Sequence, residues 1–339
     1  MKIYFLLKYI FYILLSKLPF GNREKFLGLA GKYLVKLCTK KINVNFSKIK
    51  IEDNAVIIAL FESLGDIIAC EPVARRMKQQ YPNRPLYWII GSQYADVIKY
   101  NPCLKSVIKI NSVSQWITLK QNLSKSVTIV DLHFRERAYI LDRGKVYIND
   151  NDPEINSVSK GNSLVDVFSR AARIKPVNDA PMFYRRPKDK QYKFDINEKY
   201  IAIHTVSAQW RRDWTIEKWQ SLIEQLELIL PNIKIVELGL FPSIKKRYKN
   251  YIDKTGLKSI QDSADIIAGA HAFIGIDSAM AHLANALNIF GVILMNSGGH
   301  MPFSGNYQKG INSKIIVNTN IKDITVEEVL AAVQILCSI

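Results

Sequence analysis

From residue 55 onward the chain alternates between two hydrophobic patterns. "AVIIAL" (55–60), "LYWII" (86–90), "VIKI" (107–110) and "SVTIVDL" (126–132) are short apolar runs rich in β-branched and aromatic residues, the pattern of buried strands. Between them, "GDIIACEPVARRMKQQY" (65–81) and "QYADVIKYN" (93–101) set apolar residues at helical spacing. Pro72 lacks an N–H near the start of the first of these helices and favours a kink there. The alternation lapses over 175–200, "KPVNDAPMFYRRPKDKQYKFDINEKY", which is rich in proline and charge. It then resumes, with strands at "YIAIHTV" (200–206), "IKIVELG" (233–239), "AFIGI" (272–276) and "GVILMN" (291–296). Helices fall at "TIEKWQSLIEQLELIL" (215–230), at "SADIIAGA" (263–270) and from Ser278, and a last one starts at Thr325, where Thr325 and Glu328 have capping-box spacing.

This alternation predicts an α/β protein with parallel sheets covered on both faces, arranged as two Rossmann-like domains across a cleft. The expected divisions are a segment over 1–50, a first domain over 51–178, a linker over 179–198 and a second domain over 199–339. A chain of 339 residues can build two such cores without covalent staples. Its four cysteines, Cys38, Cys70, Cys103 and Cys337, have neither C-x-x-C nor zinc spacing, which fits a reducing cytoplasm.

Charge changes the picture at the amino terminus. The chain has 47 Lys and Arg against 30 Asp and Glu, a net +17, and residues 1–50 hold eleven of the bases with one acid, Glu24. The opening run, "MKIYFLLKYIFYILLSKLPFG", is broken by Lys8 and Ser16, is too short and charged for a span, and lacks a small-residue cleavage site. In "KFLGLAGKYLVKLCTKK" (25–41), Phe26, Ala30, Tyr33, Leu34 and Leu37 share one helical face and Lys25, Lys32, Lys36 and Lys40 another. Two readings stand: the helix docks on the protein's own core, or it lies on an anionic membrane surface. A nucleic-acid partner would also suit the charge, but the bases sit in an apolar amphipathic stretch and not in a reading motif.

The candidate chemistry lies where strands give way to helices. "FIGIDSAMAHLANAL" (273–287) ends a strand in Asp277 and opens a helix through Ser278, Ala279 and Met280, with His282 one turn in. Ligands of open α/β sheets bind beyond the carboxyl ends of the strands, where helix amides and the helix dipole receive anions. His282 can touch the same anion, and Asp277 can hold the loop or a ligand hydroxyl. Taken alone, the junction is better read as a capped helix with a core histidine. "IAIHTVSAQWRRDWTIEKW" (201–219) adds Thr205, Ser207, Arg211 and Arg212 ahead of a helix capped by Thr215, and guanidinium groups suit phosphate oxygens. Two such loops together predict a nucleotide-diphosphate site. "ALFESLGDIIACEP" (59–72) carries Asp66 at a helix start, either as an acid favoured by the dipole or as a general base facing the cleft.

These stretches, with "IVDLHFRERAYIL" (129–141), resemble the bacterial heptosyltransferases of glycosyltransferase family 9 over roughly residues 55–335. The resemblance implies a GT-B fold whose first domain takes the acceptor and whose second takes the donor. It implies an inverting, metal-independent glycosyltransferase moving heptose from ADP-heptose to a lipopolysaccharide core or related surface glycan, with no cofactor. By position, Asp66 is the base, Arg212 binds phosphate, and Asp277, Ser278, Ala279 and His282 match an Asp-Thr-Gly…His pattern. Thr205, Ser207 and Met280 complete the donor set, with Gly65, His133, Arg135 and Arg137 on the acceptor side; the last three are equally explained as solvated loop charges. The chain departs from the family with Ala279 for Gly, Ser278 for Thr, Arg212 for a frequent Lys, and Lys245 and Lys246 where some relatives place a Glu. The expected location is the cytoplasm, with residues 1–41 peripheral on the inner membrane. Competing readings are a non-catalytic sugar-nucleotide-binding protein, a transferase using another nucleotide sugar, and a metal-dependent transferase using "DND" (150–152). A nicotinamide dehydrogenase is excluded because no G-x-G-x-x-G turn follows a strand.

Overall fold

The computed structural model describes residues 50–61, 63–132, 138–139, 145–146, 163–207, 209–297 and 302–337. The first half builds a four-stranded sheet from β1 (Val56–Ala59), β2 (Leu86–Gly91), β3 (Ser106–Ile110) and β4 (Thr128–Asp131), ordered β3-β2-β1-β4 and parallel throughout. Its helices are α1 (Leu64–Ala69), α2 (Glu71–Gln80), α3 (Val113–Gln121) and α4 (Leu164–Ala171). Every residue of β1 is buried, which is why it reads as an unbroken apolar run.

Two expectations need correction here. The helix predicted over 65–81 is two helices, because Pro72 has no N–H to give to a preceding turn. The break falls at Cys70, whose N–H closes α1 on Asp66 O at 2.8 Å, and Pro72 sits in the first turn of α2. The helix predicted over 93–101 is a 3-10 segment, Ser92–Val97, since Pro102 disfavours helical geometry at Asn101 and leaves no room for a full helix. A short antiparallel pair, β5 (Ala138–Tyr139) and β6 (Lys145–Val146), lies outside this sheet.

The second half is a six-stranded parallel sheet ordered β12-β11-β10-β7-β8-β9. Its strands are β7 (Tyr200–His204), β8 (Lys234–Glu237), β9 (Tyr251–Asp253), β10 (Ala272–Ile276), β11 (Gly291–Asn296) and β12 (Ser313–Asn318). Its helices are α5 (Ile216–Ile229), α6 (Ile260–Gly269), α7 (Ala279–Ala286) and α8 (Val326–Cys337). Thr325 and Glu328 cap α8 reciprocally, as their spacing predicts, through Thr325 N to Glu328 Oε2 at 2.7 Å and Glu328 N to Thr325 Oγ1 at 3.2 Å. One face of this sheet packs on Trp214 and Trp219, edge to face at 5.1 Å. The other belongs to an apolar cluster that also contains Leu60, Ile67 and Val73 of the first half, alongside Phe273, Ala281 and Phe303 of the second.

The connecting segment is pinned along its length. Arg75 Nη2 donates to Ala180 O at 2.7 Å, Met182 N to Glu71 Oε2 at 2.9 Å, and Phe183 N to Ala286 O at 3.2 Å. Arg186 pairs with Asp262 and, at 2.9 Å, with Asp265 on α6. Gly305 donates to Asn178 O at 3.0 Å from a φ of +65°, and a Cβ there would stand 2.4 Å from Ala180 Cα, so only glycine allows this approach.

Candidate functional site

The parallel registers of β8, β7 and β10 bring the loops after those strands side by side at one edge of the sheet. A polar residue closes β7 and β8, His204 and Glu237 respectively, and Asn296 closes β11. Asn296 Nδ2 donates to Arg211 O at 2.7 Å and so fixes the loop that carries Arg212. Arg212 Nη1 lies 2.9 Å from Asp277 Oδ2, so the structure joins two residues that the sequence placed in separate motifs. The pair is half-exposed, which gives it little stabilising value and leaves the guanidinium accessible to a ligand.

Ser278 is the N-cap of α7 and accepts backbone hydrogen bonds from Ala281 (3.1 Å) and His282 (3.2 Å) through its carbonyl. Its hydroxyl does not cap the helix; it lies 3.1 Å from His204 Nδ1. Among the described residues no acceptor faces the amides of Ser278, Ala279 and Met280, and all three residues are half-buried at the helix's positive end. His282 is buried within 4.7 Å of the Phe303 ring centroid, and its Nδ1 has no hydrogen-bond partner. Burial holds its imidazole below the ordinary histidine range, opposed by the negative charges of Asp277 and Asp66 and reinforced by Arg212.

From the other side of the cleft, α1 meets α7. Gly65 is so close to His282 that a Cβ on it would stand 3.0 Å from His282 Cδ2 and 3.5 Å from Ala279 Cα. The next residue is Asp66, 8 % exposed, whose Oδ2 accepts from Ser63 N at 3.4 Å and Ser63 Oγ at 3.3 Å. A carboxylate one residue past this contact thus faces His282 and the start of α7, whose Asp277 holds the Arg212 guanidinium. That combination can take a proton on one side and receive an anion on the other.

Other candidates are placed differently. Thr205 Oγ1 donates to the buried Glu237 at 2.7 Å, and Ser243 Oγ does so at 2.6 Å, so the Thr205 hydroxyl turns into the fold. Ser207 orders its own loop, its N–H donating to Asp213 Oδ1 at 2.8 Å and its hydroxyl to Gln209 O at 2.9 Å. Lys246 pairs with Glu224 on α5. His133, Arg135, Arg137, the acidic triplet 150–152 and the segment 1–41 lie outside the described residues. Among the described residues no group of His, Cys, Asp and Glu could hold a metal, and no helix is long and apolar enough to cross a membrane. The residue that sequence reasoning missed is His204. Its signal was a single polar position closing an otherwise apolar strand.

Residues 171–292 match glycosyltransferase family 9 (heptosyltransferase). The match contains Arg212 and the Asp277–His282 segment and ends short of Asp66. No curated protein matches the chain by sequence. Among solved structures, a family 9 glycosyltransferase from Veillonella parvula superposes with a TM-score of 0.64 at 16 % identity, covering 84 % of this chain and 98 % of that one. The E. coli ADP-heptose lps heptosyltransferase II gives 0.61 at 16 % identity, with 83 % and 98 % covered. E. coli heptosyltransferase WaaC with ADP-2-deoxy-2-fluoro heptose gives 0.55 at 14 %, with 83 % and 99 % covered. At such identities the likeness speaks for the fold, two facing parallel-sheet halves of the GT-B kind. The family 9 match covers the segment that brings the helix terminus and the guanidinium together, and with these structural neighbours it supports a glycosyltransferase that resembles the heptosyltransferases.

Proposed function

We propose that the protein transfers a heptose from ADP-heptose, with inversion, to a lipopolysaccharide core or related surface glycan. The observation that carries this reading is the juxtaposition of Asp66 on α1 with the open amides of α7, where Gly65 meets His282. Asp66 accepts the proton of the acceptor hydroxyl as that oxygen bonds to the anomeric carbon. The bond from that carbon to the diphosphate breaks, and the electron pair leaves with ADP. The amides of Ser278, Ala279 and Met280 and the Arg212 guanidinium stabilise the departing charge. The choice of donor is supported by the solved relative that holds a fluorinated ADP-heptose, and the choice of acceptor by the relative described as a lps heptosyltransferase.

In this scheme residues 51–178 take the acceptor, residues 199–339 the donor, and 179–198 join them. Residues 1–41 bring the cleft to the cytoplasmic face of the inner membrane, a role supported by their basic amphipathic pattern.

One observation favours a binding protein without catalysis: Asp66 already serves as a helix cap through Ser63. Asp66→Asn separates the two readings. As a base, Asp66 is worth roughly a hundred- to ten-thousand-fold in kcat, while ADP affinity should persist. Transfer from ADP-heptose at the wild-type rate by the variant reduces Asp66 to a cap, and binding of UDP- or GDP-sugars in place of ADP-heptose rejects the donor.

A further inference from the structure

The His204 imidazole closes β7 and reaches Ser278 at the start of α7, Nδ1 to Oγ, across 3.1 Å. On its other side the ring backs onto the loop after β8, where a Cβ on Gly239 would stand 3.9 Å from Nε2. We propose that His204 is a positioning residue: its Nδ1–H donates to Ser278 Oγ and turns the serine's own proton toward the diphosphate seat. This rests on the nucleotide-diphosphate reading above and adds to it the proton arrangement that makes Ser278 a donor.

A serine hydroxyl has a single proton, and a phosphate oxygen only accepts. With a diphosphate at α7, the Ser278 proton goes to the phosphate. Two lone pairs would then face each other across the His204 contact unless Nδ1 carries a hydrogen. The opposite tautomer, protonated on Nε2, takes the serine proton and presents an oxygen lone pair to the anion. Burial pushes the His204 pKa down to about 4, so the ring is neutral at physiological pH and has one proton to place. The choice of nitrogen therefore decides whether Ser278 attracts or repels the leaving group.

The test combines nitrogen-15 NMR of the histidines in the full-length protein, with and without ADP, and ADP titration calorimetry on variants. In the ADP complex His204 should be protonated on Nδ1. His204→Phe should weaken ADP binding roughly five- to tenfold, within the worth of one hydrogen bond between neutral groups. His204→Asn places an amide nitrogen near the Nδ1 position and should restore affinity to within about twofold. In a Ser278→Ala background the His204→Phe effect should vanish, as coupled groups require. An Nε2-protonated ring in the complex, an undiminished His204→Phe effect without the serine hydroxyl, or an Asn variant no better than Phe overturns the proposal. The NMR measurement needs no variant, so it stands even if His204→Phe fails to fold. If the unaltered protein binds neither ADP nor inorganic pyrophosphate, the diphosphate reading itself falls and this inference with it. If ADP binds and the cycle is additive, only the role of His204 is lost.

Discussion

Replacing Gly65 by alanine should separate binding from turnover. The new methyl would stand 3.0 Å from His282 Cδ2, whereas carbon atoms in contact settle at about 3.5–4.0 Å. The gap must widen by roughly half an ångström on that scale. His282 has little room to yield, being buried and already in contact with Phe303 at 4.7 Å between centroids. The Ala279 backbone, 3.5 Å from the methyl, closes the other direction. The strain therefore moves α1 off α7 and carries Asp66 with it. Overpacking of this kind costs about 1–3 kcal/mol, read as a fall of several degrees in Tm. Misplacing a reacting group by about 1 Å can cost up to a hundredfold, so kcat should fall roughly ten- to a hundredfold. ADP affinity should fall far less than kcat, because Arg212 stays in place and α1, not α7, gives way. Thermal melting, ADP calorimetry and steady-state transfer read the three quantities separately. Unchanged melting with full kcat would refute the claim that this contact sets the spacing of the two helices.

Two further outcomes are expected. The folded His204 titrates near pH 4 and the free imidazole near 6.5. The unfolded chain therefore takes up a proton first as pH falls, so stability present above pH 6.5 is lost down to pH 4, by roughly 3 kcal/mol in all. Urea denaturation at pH 7.5 and 4.5 should show a smaller acid loss for His204→Asn, and an identical loss in both proteins would place the sensitivity elsewhere. Full-length protein should sediment with vesicles containing anionic lipid, less so in high salt, and removal of residues 1–41 should abolish this; indifference of the full-length chain to such vesicles rejects the membrane role.

What the sequence discloses follows burial. β1 and β10 are covered on both faces and stand out as continuous apolar runs. The sheet's outermost strands, β9 and β12, are partly exposed and blur into their loops. The Asp277–His282 segment was legible because a strand, a helix cap and polar chemistry coincide there within a few residues. The partnership of His204 with Ser278 was not, since 74 positions separate them and only the pairing of β7 with β10 brings them together. Thr205 misled for a related reason. Side chains alternate sides along an extended chain, so with His204 facing the helix terminus, Thr205 faces Glu237.

The pinned connector bears on how the two halves part. Arg185 and Arg186 lie in a stretch that is neither helix nor strand, the kind of segment a trypsin-like protease can take once it is freed. Yet the Arg186 guanidinium is clasped by Asp262 and Asp265, while Glu71 across the cleft holds Met182 N and the Tyr184 hydroxyl at 3.2 Å. Such a splint resists bending, because a wide swing of either half has to unlace contacts on both flanks together. In the proposed reaction, opening of the cleft should then proceed by small rocking movements about a stiff spine, and tryptic cleavage after residue 185 should report the rarer event in which the halves come apart; the bond after residue 186 is protected by Pro187.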